Sequence, residues 1–417
     1  MGTPGLAAAV GAVDEARQWS RLMRMAEIGA ISGEGVNRAC LTDLDRQARR
    51  VLIGWAQAAG ASVTVDEAAN LWLRREGTDA HAAPVLTGSH MDTQPNGGRF
   101  DGIFGVIAGL EAITALHESG TLTRRPIEVV AWTNEEGGRF APGCMGSMAW
   151  SGHTQLAAFA DVQDPDGIRF ADALAEHRDA ESDLKPRPLG SRPHAYVEAH
   201  IEQGPRLEAE NTDIGVVTGI QGSRWFTVTL AGETAHAGTT PLAMRRDAVQ
   251  DMVRAIAALN ALMHDPQDVL RFTVGRIAVQ PNTSNSVADR VGFSIDFRHP
   301  DEATLIERGD AIERVVRGSV RDCDVSVTES FHALPVAFDP LVIEAVEQAA
   351  RAQGRTHVRM PSGAFHDAQF AVPVAPSGMI FVPCRKGISH NPAEYAEPGA
   401  LAAGTRVLTQ TLLALAA

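Results

Sequence analysis

Four short segments of this 417-residue chain carry side chains that can bind metal ions or move protons. The run Gly88-Ser-His-Met-Asp-Thr, followed by Gly97-Gly-Arg-Phe-Asp-Gly, offers His90 and Asp101. Trp132-Thr-Asn-Glu-Glu-Gly offers Glu135 and Glu136, Val197-Glu-Ala-His-Ile-Glu-Gln-Gly offers His200, and Gly387-Ile-Ser-His-Asn-Pro offers His390. Three histidines, one aspartate and one glutamate suit two divalent ions of the Zn²⁺ or Mn²⁺ kind. A carboxylate can bridge two such ions ~3.5–4 Å apart, and a water bound there reaches a pKa of roughly 7. A second carboxylate must then carry the water's proton. The adjacent glutamates supply one ligand and one base, and their spacing leaves open which is which. A lone histidine at a strand end is more often structural, and paired glutamates often mark a solvated turn. Four segments with the same placement weigh against that reading.

Those segments need elements that bring their ends together. Thr42 is a plausible N-cap for a helix carrying Leu44, Ala48, Leu52 and Trp55. Pro84 to Ser89 reads as a buried strand, Gly105 to Leu116 as a helix, Ile127 to Thr133 and Tyr196 to Ile201 as further strands. Strand–helix alternation predicts an α/β layer with a largely parallel sheet, and in such sheets ligands gather beyond the carboxyl ends of the strands. The stretch from Asp161 to Pro193 reads as an irregular excursion. After about Gly219 the pattern changes. Trp225 to Leu230 is a predicted strand, Pro241 to Met263 a long helix, Phe272 to Val279 and Val291 to Phe297 strands, then a helix from Glu302 and a strand through Val325 and Val327. This β-α-β-β-α-β order predicts a smaller α+β module of ferredoxin-like type. The helix Leu341 to Ala352 and the strand Met379 to Val382 return to the first domain. The expected division is 1–218 with 334–417 as one domain and 219–333 as an insertion.

Composition narrows the function classes. The 44% hydrophobic and 21% charged content is that of an ordinary globular protein. A formal charge of −14 argues against nucleic acid or an anionic membrane as a partner. It also means that an anionic substrate would need a local arginine or metal to hold it. No run of apolar residues is long enough for a membrane span, and the first residues lack the basic start of a secretory signal. Cys40, Cys144, Cys323 and Cys384 form no close pair, so a cytoplasmic protein without a disulfide framework is expected.

The chain resembles the hydantoinase/carbamoylase branch of the dinuclear-zinc aminopeptidase-like amidohydrolases, a group that includes N-carbamoyl-L-amino-acid hydrolases, β-ureidopropionases and allantoate amidohydrolases. The resemblance runs from about Trp19 to Leu413 and is carried by GSHMDTQPNGGRFDGIFGVIAGLEA, TNEEGGRFAPGCMGS, EAHIEQGP, TAHAGTTP, the Asn285 to Arg298 stretch and GISHNPAE. It implies His90 and His200 on one ion, Glu136 and His390 on the other, Asp101 as the bridge and Glu135 as general acid/base. It implies that Gln203 contacts substrate and that His236, in an inserted lid, polarises the scissile carbonyl. Asn285 and Arg298 would grip a substrate carboxylate, for which a guanidinium's planar fork is suited. The implied cofactors are two Zn²⁺ or Mn²⁺ ions per subunit, with Co²⁺ or Ni²⁺ as in-vitro substitutes. The implied assembly is a homodimer through the inserted domain. The implied reaction releases an amine, CO₂ and ammonia from an N-carbamoyl amino acid or N-carbamoyl-β-alanine. Hydrolysis of allantoate, or of an N-acyl amino acid by a peptidase or acylase, is the alternative. The chain departs from the family pattern at Ser286-Val-Ala-Asp-Arg, where Pro-Gly is common, and at Phe365, where glycine is common. Both bear on specificity.

Overall fold

The computed structural model describes residues 3–417. The chain separates into two compact units, residues 1–218 with 338–417 and residues 219–337.

The first unit is built on a mixed sheet whose four central strands are parallel. Their spatial order is Ser377–Val382, Ala195–Ile201, Val85–His90, Ile127–Trp132. Every residue of all four is buried, as their unbroken apolar runs require of strands covered on both faces. Antiparallel strands flank them, with Leu71–Arg75 against Ile127–Trp132 and Ser62–Val65 beyond it. The helix Ile103–Glu118 is apolar around almost its whole circumference. It packs on the central strands beside the largely buried helix Pro398–Leu415, which also meets them. Thr42 caps the helix Asp43–Ala58, its hydroxyl accepting the Asp45 N–H at 3.3 Å.

In chain order the strand Val85–His90 is followed by a neighbour on one side, Ile127–Trp132, and then by one on the other, Ala195–Ile201. The crossovers therefore part company between 85–90 and 195–201. A crevice opens at such a switch point beyond the carboxyl ends of the strands.

The stretch 161–193 is more ordered than its Pro/Asp/Arg-rich composition suggests. It contains the helix Phe170–Ala180, which buries Phe170, Ala173, Leu174 and His177. Their i, i+3, i+4, i+7 spacing is an amphipathic signal that the surrounding polar residues mask. Phe170 joins Phe140 and Phe159 in a small apolar cluster.

The second unit follows the predicted β-α-β-β-α-β order except that its second strand is split in two. Its sheet runs Arg271–Thr273, Arg290–His299, Gly222–Ala231, Asp324–Ala333, all neighbours antiparallel. Helices Ala248–Leu262 and Glu302–Ser319 pack together and against the sheet around Val228, Leu259, Phe293 and Ile312. Two predicted boundaries differ. The first helix begins at Ala248 and not at Pro241, because Asp247 caps the Val249 and Gln250 N–H groups. The predicted strand 272–279 is two, Arg271–Thr273 and Ile277–Gln280, each pairing separately with Arg290–His299.

Candidate metal centre

His90 is the last residue of the strand Val85–His90, His200 the penultimate residue of Ala195–Ile201, and Glu135 and Glu136 follow Ile127–Trp132 by one turn. His390 lies on the loop after Ser377–Val382, and Asp101 just before the helix Ile103–Glu118. Sheet geometry thus brings residues from four distant segments to the switch-point crevice.

Asp101 is the hub. Its Oδ1 is 3.8 Å from His90 Nε2 and 3.1 Å from His200 Nε2, while its Oδ2 is 3.2 Å from His390 Nε2. Glu136 Oε2 is 3.3 Å from the same His390 nitrogen. Two ligand-competent groups result, His90–Asp101–His200 and Asp101–Glu136–His390, sharing the aspartate. Glu135 Oε2 stands 3.4 Å from His90 Nε2.

Hydrogen bonds behind the site aim these groups. The Nδ1 atoms of His90 and His200 each lie 2.9 Å from a backbone carbonyl, of Asp92 and Ile201 respectively. Donation there fixes the tautomer and leaves each Nε2 lone pair facing inward, that of His200 accepting the Gly102 N–H at 3.2 Å. Close packing holds the His90 ring as well. Gly102 has φ +65°, and a Cβ on it would sit 2.3 Å from that ring. Gln94 holds Glu136 by donating its backbone N–H at 3.1 Å and its side-chain amide at 2.8 Å to the carboxylate.

Burial sets the electrostatics. It pushes the Glu135 carboxyl well above its ordinary range, helped by the negative fields of Asp367, Glu136 and Asp92. Burial and Asp101 raise Glu136 to about 8. Burial opposes the charge of Asp101 too, but His200 and His390 hold its carboxyl well below the usual value. Packing so many carboxylates away from water is costly unless cations compensate. Two hard or borderline dications would do so, and the inward-facing imidazoles and carboxylate oxygens are the donors such ions take. The residues present therefore fit a metal centre.

Gln203 also reaches the cluster. Its Nε2 donates to Asp101 Oδ2 at 3.0 Å and lies 3.2 Å from Ser389 Oγ. That contact orients the amide and leaves Oε1 buried without a protein donor among the described residues.

The remaining residues singled out from sequence lie in the second unit. His236 and Ser286 oppose each other on a two-stranded ribbon, and the Asn285 carbonyl accepts the Ala237 N–H at 3.0 Å. His236 Nδ1 accepts the N–H groups of Gly238 and Thr239, so its exposed Nε2 carries the proton. Arg298 is on the main sheet of that unit rather than on the ribbon, with its guanidinium against Asp296 at 2.8 Å.

Asp92, Gln94, Ser389 and Glu394 surround the cluster and escaped the sequence reading. Asp92 carried one usable signal, its place two residues beyond His90, where an extended chain returns to the same face. The others are chosen by tertiary contacts.

Residues 86–414 match peptidase family M20/M25/M40. The chain is 42% identical over 407 residues to an N-carbamoyl-L-amino-acid amidohydrolase of Rhizobium meliloti, covering 96% of each protein. It is 33% identical to an allantoate amidohydrolase of Bacillus subtilis (strain 168), covering 94% of this chain and 95% of that one. Among solved structures, a hydantoinase/carbamoylase family amidase from Burkholderia multivorans superposes with a TM-score of 0.90 at 45% identity, covering 97% of this chain and 98% of that one.

Proposed function

Because the chain belongs to peptidase family M20/M25/M40, a metal-dependent family, we propose that it is an amidohydrolase acting on a small N-carbamoyl amino acid. The products are the free amino acid, CO₂ and ammonia. The observation that carries the hydrolytic reading is the arrangement at Asp101, whose two oxygens face separate histidine groups with a further buried carboxylate, Glu135, alongside.

His90, His200 and Asp101 would hold one divalent ion, and Glu136, His390 and Asp101 the other, as Zn²⁺ or Mn²⁺, with Co²⁺ or Ni²⁺ as substitutes. When bound, such ions supply Lewis acidity and a nucleophile at neutral pH. Glu135 takes the attacking water's proton and delivers it to the leaving nitrogen, a role that its buried place beside the ligand groups, 3.4 Å from His90 Nε2, supports. Gln203 Oε1 accepts an N–H of the substrate's ureido group, as its buried, donor-free position favours. His236 contributes its Nε2–H to the carbonyl oxygen. Asn285 and Arg298 recognise the substrate carboxylate, and Arg298 answers the net charge of −14, which repels anions at long range.

We extend the proposal to assembly and location. The chain acts as a homodimer joined through residues 219–337, whose strand Asp324–Ala333 is an edge of its sheet and so offers ladder groups for pairing. Four free cysteines favour the reducing cytoplasm. No helix among the described residues is long and apolar enough to cross a membrane.

Similarity to an allantoate amidohydrolase favours a second reading, with allantoate as substrate. Purified protein, stripped with chelator and reloaded with Mn²⁺ or Zn²⁺, decides between them. The panel is N-carbamoyl-L-amino acids, N-carbamoyl-β-alanine, allantoate and N-acetyl amino acids. Metal-dependent ammonia release from a carbamoyl amino acid is expected. Full activity in metal-free protein, or turnover of the N-acetyl compounds alone, would refute the proposal.

A further inference from the structure

Glu394 lies four residues beyond His390 and is only 1% exposed. Its Oε1 accepts two backbone N–H groups, of Phe100 at 2.8 Å and Asp101 at 3.0 Å. Its Oε2 is 2.9 Å from Ser389 Oγ, and that hydroxyl is 3.1 Å from Asp101 Oδ2. One side chain of the C-terminal loop thus grips the backbone at Asp101, and the Ser389 hydroxyl, with its one proton, stands between the Glu394 and Asp101 carboxylates. The loop opposite makes room for it. A Cβ on Gly98 would stand 2.1 Å from both Cδ and Oε1 of Glu394.

This grip matters because the two candidate ligands it joins sit on loops far apart in sequence. His390 is half-exposed and sits at φ +53° on a loop, outside the sheet. Asp101 is nearly three hundred residues earlier on another loop. A carboxylate is costly to bury, and here its hydrogen bonds are spent on holding one loop to the other.

Resting on the metal-centre reading above, we propose that Glu394 is a positioning residue that locks the His390 loop to Asp101 and thereby sets the affinity of the Asp101–Glu136–His390 group for its ion. Glu394 touches neither substrate nor ion. It acts through the spacing between Asp101 and His390. The hydrogen bonds carry the effect, and the charge does not. In Glu394→Gln the amide oxygen can still accept both N–H groups and the amide nitrogen can donate to Ser389.

The test is calorimetric titration of metal-free protein with Mn²⁺, supported by the visible absorption of Co²⁺-loaded protein. Wild type should bind two ions. Glu394→Ala should weaken one step, the filling of the Asp101–Glu136–His390 group, by about 10–100-fold, as loss of a ligand's supporting partner does, and weaken the other step less, because His90 and His200 stay on their strands. Global destabilisation would not single out one step. Gly98→Ala, which adds one methyl group in the path of Glu394, should reproduce the defect, and it decides the matter if Glu394→Ala fails to fold. Glu394→Gln should bind both ions with affinities close to wild type and keep the Co²⁺ spectrum. Unaltered binding in Glu394→Ala or Gly98→Ala would overturn the proposal, as would equal weakening in Glu394→Gln. A wild type that binds no ion defeats the metal-centre reading itself, and that result appears before any substitution is made.

Discussion

Asp92 accepts the backbone N–H of Glu135 on one carboxylate oxygen and that of Glu136 on the other, each at 3.2 Å. Two adjacent residues on an extended strand would point to opposite faces. Here the strand has ended, Asn134 adopts φ +56°, and both N–H groups turn toward one acceptor, so both side chains can serve the same crevice. Asp92→Asn offers a single acceptor oxygen and leaves one N–H unmet. The variant should fold and lose about 10–100-fold in kcat/KM, measured beside its thermal unfolding. Wild-type kinetics would mean that the glutamate pair is held in place by other contacts.

Glu135→Gln preserves shape and removes the proton acceptor. Its kcat should fall by roughly 10²–10⁴-fold with metal content unchanged by elemental analysis. A near-normal kcat would assign the base elsewhere, and loss of metal would make Glu135 a ligand.

Arg298→Ala should lower kcat/KM for a carboxylate-bearing substrate by about two to three orders of magnitude, the scale on which truncating one member of a buried charge pair acts at ~2–5 kcal/mol. Arg298→Lys keeps the charge and loses the fork, so KM should rise while kcat holds. An analogue with a neutral amide in place of the carboxylate should be poor with wild type and scarcely poorer with either variant. Equal handling of acid and amide by wild type would move the search to neutral ureides.

Away from the site, Arg49 and Glu181 form a two-pronged pair at 2.7 and 2.6 Å that is almost completely buried. Burial opposes the charge of Glu181, yet Arg49 and His177 hold its carboxyl well below the ordinary carboxylate range. A carboxyl lowered on folding stabilises the fold above its unfolded pKa of ~4.3, and that stabilisation fades as pH falls below it. Glu181→Gln should therefore cost about 3–5 kcal/mol near neutral pH, because Arg49 stays buried without its counter-charge. The gap from wild type should narrow in acid. Denaturant unfolding at pH 7 and at pH 4 or below measures both, and a gap independent of pH would contradict the pairing.

The parts of the molecule legible in sequence are those with local causes. Apolar runs announce the four central strands, and His90, His200 and the Glu135–Glu136 pair stand at or just past their ends. The spacing could not divide the glutamates' roles. Distances place Glu136 beside His390 and Glu135 beside His90, a separation created by the turn at Asn134. Gln94, Ser389 and Glu394 stayed hidden because an ordinary polar residue gains its role only when a distant loop arrives to meet it. The helix boundary at Ala248 was obscured by Leu242 and Met244, which extend the apolar periodicity but lie exposed outside the helix.

The strand order Ser377–Val382, Ala195–Ile201, Val85–His90 has a consequence during synthesis. Chains emerge from the ribosome N-terminus first. His90, Asp101, Glu136 and His200 are all made before residues 219–337, and His390 only after them. A nascent or truncated chain can offer His90, Asp101 and His200, but it has no His390 to complete the second group and no Glu394 to draw the loops together. On the proposed metal-centre reading, the second ligand group can form only after the chain has been made through His390, and a product that stops earlier would lack it.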